Sequence, residues 1–186
     1  MPLDFLIATA YGVDSDKISG PDWLDSQQYD ISAKVEGDAS LTLLQMRPAL
    51  QRLLEQRFHL RSHRELRVIP GFTLVVADKG AKVPPTTAKE PMIQITSRLL
   101  MGKDIDMATF AAAISRAAGR PTIDRTGVSG KFDFALRFAP PDAAANSPDP
   151  DIFTAVQEQL GLKLVPNKVP VEYLVIDHAD RVPTEN

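Results

Sequence analysis

Apolar residues recur at helical spacing near the start of the chain and again near its middle. Leu3, Leu6, Ile7 and Ala10 stand at i, i+3, i+4 and i+7, the stripe of an amphipathic helix. Met107, Phe110, Ala111 and Ile114 repeat that spacing. Pro2 suits a first helical position and Asp106 an N-cap. Each predicted helix gives way to an extended segment containing Ile18 or Ile123, and then to a turn. Residues 29–35 and 132–138 follow as strands with one buried face, with aromatic, Asp, apolar, small, basic and apolar positions in correspondence. A second helix is predicted in each half, from Leu50, Leu53, Leu54 and Phe58 and from Ile152, Ala155, Val156 and Leu160. Pro48 and Pro150 fall at equivalent places, consistent with a helix first turn, although the apolar residues before Pro48 leave open an earlier start of the first copy's helix. Each half then carries a β-hairpin signal. Residues 60–68 and 72–77 flank Ile69-Pro70-Gly71, and residues 162–165 and 171–177 flank a segment from Pro166 to Pro170.

The same elements in the same order predict an α+β fold of helices layered on sheet. The expected plan is a tandem duplication of a small αββαββ-type unit. The second copy has an extra leading strand at residues 92–99. The expected division is a first unit at 1–78, a Pro/Lys/Thr-rich linker at 79–91, a second unit at 92–178 and a tail at 179–186. Residues 139–150 form a Pro/Ala/Asp loop inserted in the second unit. The first half has no counterpart of the extra strand, so the natural protein is expected to begin upstream, with that strand and an export signal.

Composition narrows the function classes. The chain has 186 residues, 44% hydrophobic and 24% charged, ordinary values for a globular protein with a real core. Its net charge of −3 argues against a nucleic-acid groove, which needs a basic surplus. No apolar run approaches the roughly 20 residues that cross a bilayer. Cysteine is absent, which removes disulfides, thiolate nucleophiles and cysteine metal sites without fixing the compartment. The first residues, Met1-Pro2-Leu3-Asp4, carry no signal peptide.

Candidate chemistry is sparse. His59 and His63 have the four-residue spacing of a helical metal pair, but they straddle a helix end and an extended segment and are read as exposed cap and strand residues. His178 is placed past the last strand, on the surface. Asp22 and Asp25 flank Trp23, the only tryptophan. This is either a carboxylate pair for hydrolysis or binding, or turn chemistry beside an aromatic that seals the core edge, and the second is favoured. Asp30 and Asp133 hold equivalent strand starts, which suggests a structural task. The stretch from Asp124 through Arg125, Thr126 and Gly127 to Gly130 allows an anion nest. It leads into a strand, however, and is read as a hairpin-like turn. No nucleophile-elbow, zincin, phosphate-loop or dinucleotide motif occurs. No catalytic, cofactor or metal residue is therefore predicted. Trp23, Asp22, Asp25, Arg125 and Thr126 are the expected interaction or ligand surface.

Several stretches carry a resemblance. They are Ile18-Ser19-Gly20-Pro21-Asp22-Trp23-Leu24 with Tyr29-Asp30-Ile31, Leu53-Leu54-Glu55-Gln56-Arg57-Phe58 with His63-Arg64-Glu65, and Asp124-Arg125-Thr126-Gly127 with Gly130-Lys131-Phe132-Asp133-Phe134. The segment from Phe153 to Leu164 and the ending Val175-Ile176-Asp177-His178 complete it. Over nearly its whole length the chain resembles the uncharacterised soil-associated protein family expanded in acidobacteria, a domain of unknown function. The second half is more loosely similar to the short N-terminal domains of secretins and TonB-dependent receptors. These likenesses imply a periplasmic or secreted setting, with a cytoplasmic one left open. They also imply a protein-interaction module associated with an envelope sensor or secretion component. With no catalytic motif in the chain, the leading expectation is a non-enzymatic binding module without cofactor, whose partner is an unknown protein or small ligand. The competing readings are a carboxylate-based hydrolase using Asp22 and Asp25, and a carrier of envelope or sugar ligands.

Overall fold

The stripe of Leu3, Leu6, Ile7 and Ala10 folds as helix α1 (Leu3–Tyr11), with all four side chains buried and Gly12 closing the helix in the left-handed region at φ 67°. The computed structural model describes residues 1–30, 42–140 and 147–184. Most of the strand expected at residues 29–35, and half of the loop at 139–150, lie outside the described residues. The fold is α+β. The chain divides into two compact units, one of residues 1–67 with 172–186 and one of residues 68–171.

In the first unit α1 leads through a 3₁₀ turn (Ser15–Lys17) into the short strand β1 (Ile18–Ser19) and the one-turn helix α2 (Trp23–Ser26). Helix α3 (Leu43–Phe58) follows. Pro48 lies inside α3, which starts earlier, at Leu43, as the apolar residues before the proline allowed. The start is set by a capping box, in which Thr42 and Gln45 satisfy each other's backbone N–H. Proline leaves the carbonyl four residues back without a donor, and that residue, Leu44, is exposed, so water can serve it. The core of this unit joins Leu3, Leu6, Ile7 and Ala10 to Leu50, Leu54 and Phe58, with Leu174 and Ile176. The last two come from strand β7 (Leu162–His178), and β1 pairs parallel to it through Ile18 with Leu174 and Ser19 with Val175.

The second unit holds β3 (Met92–Ile95), β4 (Leu99–Ile105), α4 (Met107–Ala118), β5 (Thr122–Asp124), β6 (Phe132–Arg137) and α5 (Ile152–Leu160). Asp106 and Asp151 cap α4 and α5 by accepting from the N–H of Thr109 and from those of Phe153 and Thr154. The core gathers Phe110, Ala111 and Ile114 of α4, Ala155 and Val156 of α5, Leu100 of β4 and Phe134 and Leu136 of β6. The Phe110 and Phe134 rings meet edge to face at 4.7 Å. Residues 79–91 run along this unit. Val83 packs on its core, the Lys82 N–H donates to the Leu160 carbonyl, and the Thr86 N–H donates to that of Lys131.

The expected hairpins are not formed. Residues 61–76 make one continuous strand, β2 (Arg61–Val76), and residues 162–178 make β7 in the same way. Gly71 read as a turn residue, yet it is absent from the glycines with positive φ. Its missing Cβ serves packing instead, because a side chain there would meet the Pro121 carbonyl at 2.4 Å and Val169 at 2.5 Å. Val169, placed by its flanking prolines near a turn tip, is fully buried. The proline-containing segments mark where each strand passes from one unit into the other, between residues 67 and 68 in β2 and between 171 and 172 in β7.

The strands order as β1-β7-β2-β5 in one sheet and β3-β4-β6 in the other. The turn expected to join β5 to β6 as a hairpin therefore connects strands of different sheets. β5 pairs parallel to β2 through Thr122 with Phe72 and Asp124 with Leu74, whereas β6 pairs antiparallel to β4. The strand expected at residues 92–99 is shorter, β3 ending at Ile95 and pairing antiparallel with β4, which takes Leu99 as its first residue.

Candidate functional site

The three-stranded sheet treats its two edges differently. Residues opposite each other in an antiparallel ladder project to the same face. Ile95 thus aligns with Leu100 and Leu136, and Ile93 with Gly102 and Phe134. Leu100 and Leu136 are 1% and 0% exposed, whereas Ile93 and Ile95 on the same face are 40% and 50% exposed. The apolar face of the core therefore continues to the edge and is left uncovered there. All four residues of β3 are exposed. The hairpin to β4 is held by Thr96, whose hydroxyl oxygen accepts from the N–H groups of Arg98 and Leu99.

The other edge, β6, is closed by the chain itself. Pro85 bridges to Phe132, the Asp133 N–H donates to the Pro84 carbonyl, and the Gln159 side-chain amide bonds both the N–H and the carbonyl of Arg137. Proline and side-chain caps of this kind blunt an edge against pairing. Within β3 itself, Met92-Ile93-Gln94-Ile95, there is no proline, no charge and no bulge. Among the described residues no strand pairs on its outer side. Such an edge offers unpaired backbone groups beside an apolar surface, which is the chemistry of strand addition.

The residues singled out from the sequence sit elsewhere. Asp22 and Asp25 are exposed at the start and within the single turn of α2, and Asp22 makes no side-chain cap bond. Trp23 is partly buried against the core of the first unit. Arg125 and Thr126 belong to the second unit. There the Asp124 carboxylate accepts from the Thr126 N–H and hydroxyl, both at 2.8 Å, and the Thr126 hydroxyl oxygen accepts from the Val128 N–H. The stretch is thereby stapled as a turn, with the Thr126 N–H already used. Asp133 performs a structural task. Hydrogen bonds from the Thr86 hydroxyl and the Asp104 N–H hold its carboxyl below the usual range, and Asp104 is the positive-φ residue in the β4 irregularity.

Every histidine meets a carboxylate in the first unit. His59 ends α3 in the left-handed region at φ 47°, and its Nδ1 is 2.7 Å from Asp180 Oδ2. His178 Nε2 is 3.1 Å from the other oxygen of Asp180. The His63 Nδ1 is 2.9 Å from Asp177. An ionised carboxylate only accepts, so each of these nitrogens carries the proton. Hydrogen bonding from His59 holds the Asp180 carboxyl below its ordinary range, with His178 adding to the effect. His59 and His63 turn to different aspartates, and among the described residues no three His, Asp or Glu side chains converge as metal ligands. His178 closes β7 rather than lying beyond it. The sequence reading missed this cluster because Asp177 and Asp180 are far from His59 and His63 along the chain. No described helix is long and apolar enough to cross a membrane.

Residues 4–179 match the model of a protein family of unknown function, DUF3738. No curated protein and no solved structure matches the chain.

Proposed function

The chain belongs to the DUF3738 family, and we propose that it is a non-enzymatic binding module that takes up an extended segment of a partner polypeptide along the free edge of β3. The observation that carries this reading is the half-exposed pair Ile93 and Ile95, on the face that is buried one strand further in. A segment with apolar residues at alternate positions would continue that face and pair its backbone with β3.

Magnitudes make this a weak, reversible contact. Covering the exposed halves of two isoleucines contributes about 1 kcal/mol each. A few edge hydrogen bonds add about 1 kcal/mol apiece. Association costs at least about 4 kcal/mol, so these terms alone leave an affinity weaker than roughly millimolar, and further side-chain contacts from the partner must supply the rest.

The resemblance to soil-associated proteins, whose members usually start with an export signal, supports an extracytoplasmic setting. The looser likeness of the second half to secretin and TonB-receptor domains supports an envelope sensor or secretion component as partner. The exposure of Asp22 and Asp25 favours binding over hydrolysis, since a carboxyl that must hold or take a proton near neutral pH needs shielding.

Selection of displayed random peptides on the immobilised protein tests the proposal. Binders should be extended and alternately apolar, and the Ile93→Lys/Ile95→Lys double variant should lose them while keeping its fold by circular dichroism. Binders that tolerate the double variant, or none from a diverse library, would overturn it.

A further inference from the structure

The first unit holds a cleft with an arginine, unpaired among the described residues, at its wall. α1 ends against an open cleft of about 380 Å³ whose lining includes Phe5, Thr9, Val13, Asp14 and Arg47. Arg47, on α3, makes no ion pair or hydrogen bond among the described residues, and its Nε is shielded from solvent without a partner. Shielded guanidinium N–H groups without an acceptor are costly and uncommon in folded proteins. The chain has set this one in place, because a Cβ at Gly12 would fall 2.7–2.8 Å from the guanidinium atoms. Gly12 therefore serves twice, closing α1 at φ 67° and leaving room for Arg47. Beside it Phe5 is 57% exposed, a large aromatic left to solvent at the wall of the cleft.

The guanidinium also lies by the C-terminal end of α1, where a cation is favoured by the helix dipole. That accounts for its charge, and the Nε, shielded from solvent, is also out of a ligand's reach, so a ligand in the cleft would meet the terminal nitrogens of the guanidinium. Two carbonyls of the last turn are already occupied: Ala8 accepts from the Gly12 and Val13 N–H groups, and Ala10 accepts from the Gln51 side chain. The neighbouring carboxylate, Asp14, is taken by Lys17 at 2.5 Å.

We infer that this cleft binds a carboxylate attached to an apolar or aromatic body, with Arg47 receiving the carboxylate and Phe5 covering the body. A planar fork of N–H donors matches a carboxylate in two-point contact. A single negative charge fits better than the double charge of a phosphate monoester, because the helix C-terminus and Asp14 repel anions and Arg47 brings one positive charge to offset them. The volume suits a small molecule or the last residue of a peptide. Both sources present the same carboxylate.

Titration of the full chain with 3-phenylpropionate, 3-phenylpropionamide, and short peptides ending in Phe as free acid or amide separates the possibilities, with amide chemical shifts as readout. Saturable shifts at residues of α1 and at Arg47 are expected for the acids and not for the amides. Arg47→Gln should weaken the acid roughly tenfold or more, as loss of a charged hydrogen-bonded contact does, and the exposed Phe5→Ala several-fold with the fold intact. A peptide acid binding more tightly than 3-phenylpropionate assigns the site to chain termini, and the reverse assigns it to free organic acids. Equal binding of amides, insensitivity to Arg47→Gln, or absence of saturable shifts with either acid would overturn the inference. Ile93 and Ile95 are not involved, so this result is independent of the β3 proposal.

Discussion

Ile93 of β3 stands opposite Gly102 of β4, and the side chain that Gly102 lacks would fall 2.4 Å from the ring of Phe134. The glycine lets the phenylalanine fill the core beneath β4, and Ile93 prolongs the same apolar face past it. Gly102→Ala is therefore expected to cost about 1–3 kcal/mol through overpacking, despite the gain in chain stiffness. Urea unfolding measures this. A midpoint equal to or above that of the parent would show that Phe134 moves freely aside.

The helix caps of the second unit make stability sensitive to acid. The Asp151 carboxyl is held below the ordinary aspartate range by hydrogen bonds from the Thr154 hydroxyl and the Thr154 and Phe153 N–H groups, and Asp106 is lowered by its bonds to Thr109. A depressed folded pKa contributes stability that is present above the unfolded value and is lost as pH falls through the folded one. Asp151→Ala should cost about 1 kcal/mol at pH 7. The difference from the parent should shrink as pH drops below 3.8. Thermal melts across that window test this, and a difference that does not change with pH would contradict it.

Among the described residues, Asp180 is the one carboxylate that bonds two histidines, His59 and His178. Its carboxyl is expected to titrate below 3.8, and His59→Ala should move it up, because the His59 bond is the first cause of its depression. Carbon-detected NMR of the aspartate carboxyls gives both values. The pair is half exposed, so His59→Ala should change the melting temperature little.

Much of this fold was legible where local pattern and local chemistry agree. The stripes of α1 and α4, the strand at β3 and the Asp106 cap are readable because helix periodicity, alternation and capping act within a few residues. Pro70-Gly71 misled because a glycine demanded by a close neighbour looks the same in sequence as one demanded by a turn. Only the approach of the Pro121 carbonyl and Val169 distinguishes them, and both are distant in the chain. Leu74 and Leu174, aligned by pattern, are both buried and both sit in parallel ladders, Leu74 opposite Asp124 and Leu174 opposite Ile18. The partners of those ladders could not be read locally.

The candidate sites were less legible for the same reason. Arg47 looks like an ordinary helix-surface arginine until Gly12 is placed beneath it. Nothing in Met92-Ile93-Gln94-Ile95 says that β6 is closed by Pro84 and Gln159 while β3 stays open. Trp23 was conspicuous by composition, but its place against the first core is structural.

The central claim is that β3 is the docking edge, and the most direct measurement of it is amide hydrogen exchange with and without a bound extended peptide obtained by display. The account predicts slowed exchange concentrated in Met92–Ile95, lost in the Ile93→Lys/Ile95→Lys variant. Slowed exchange confined to other segments, with β3 unchanged, would contradict it.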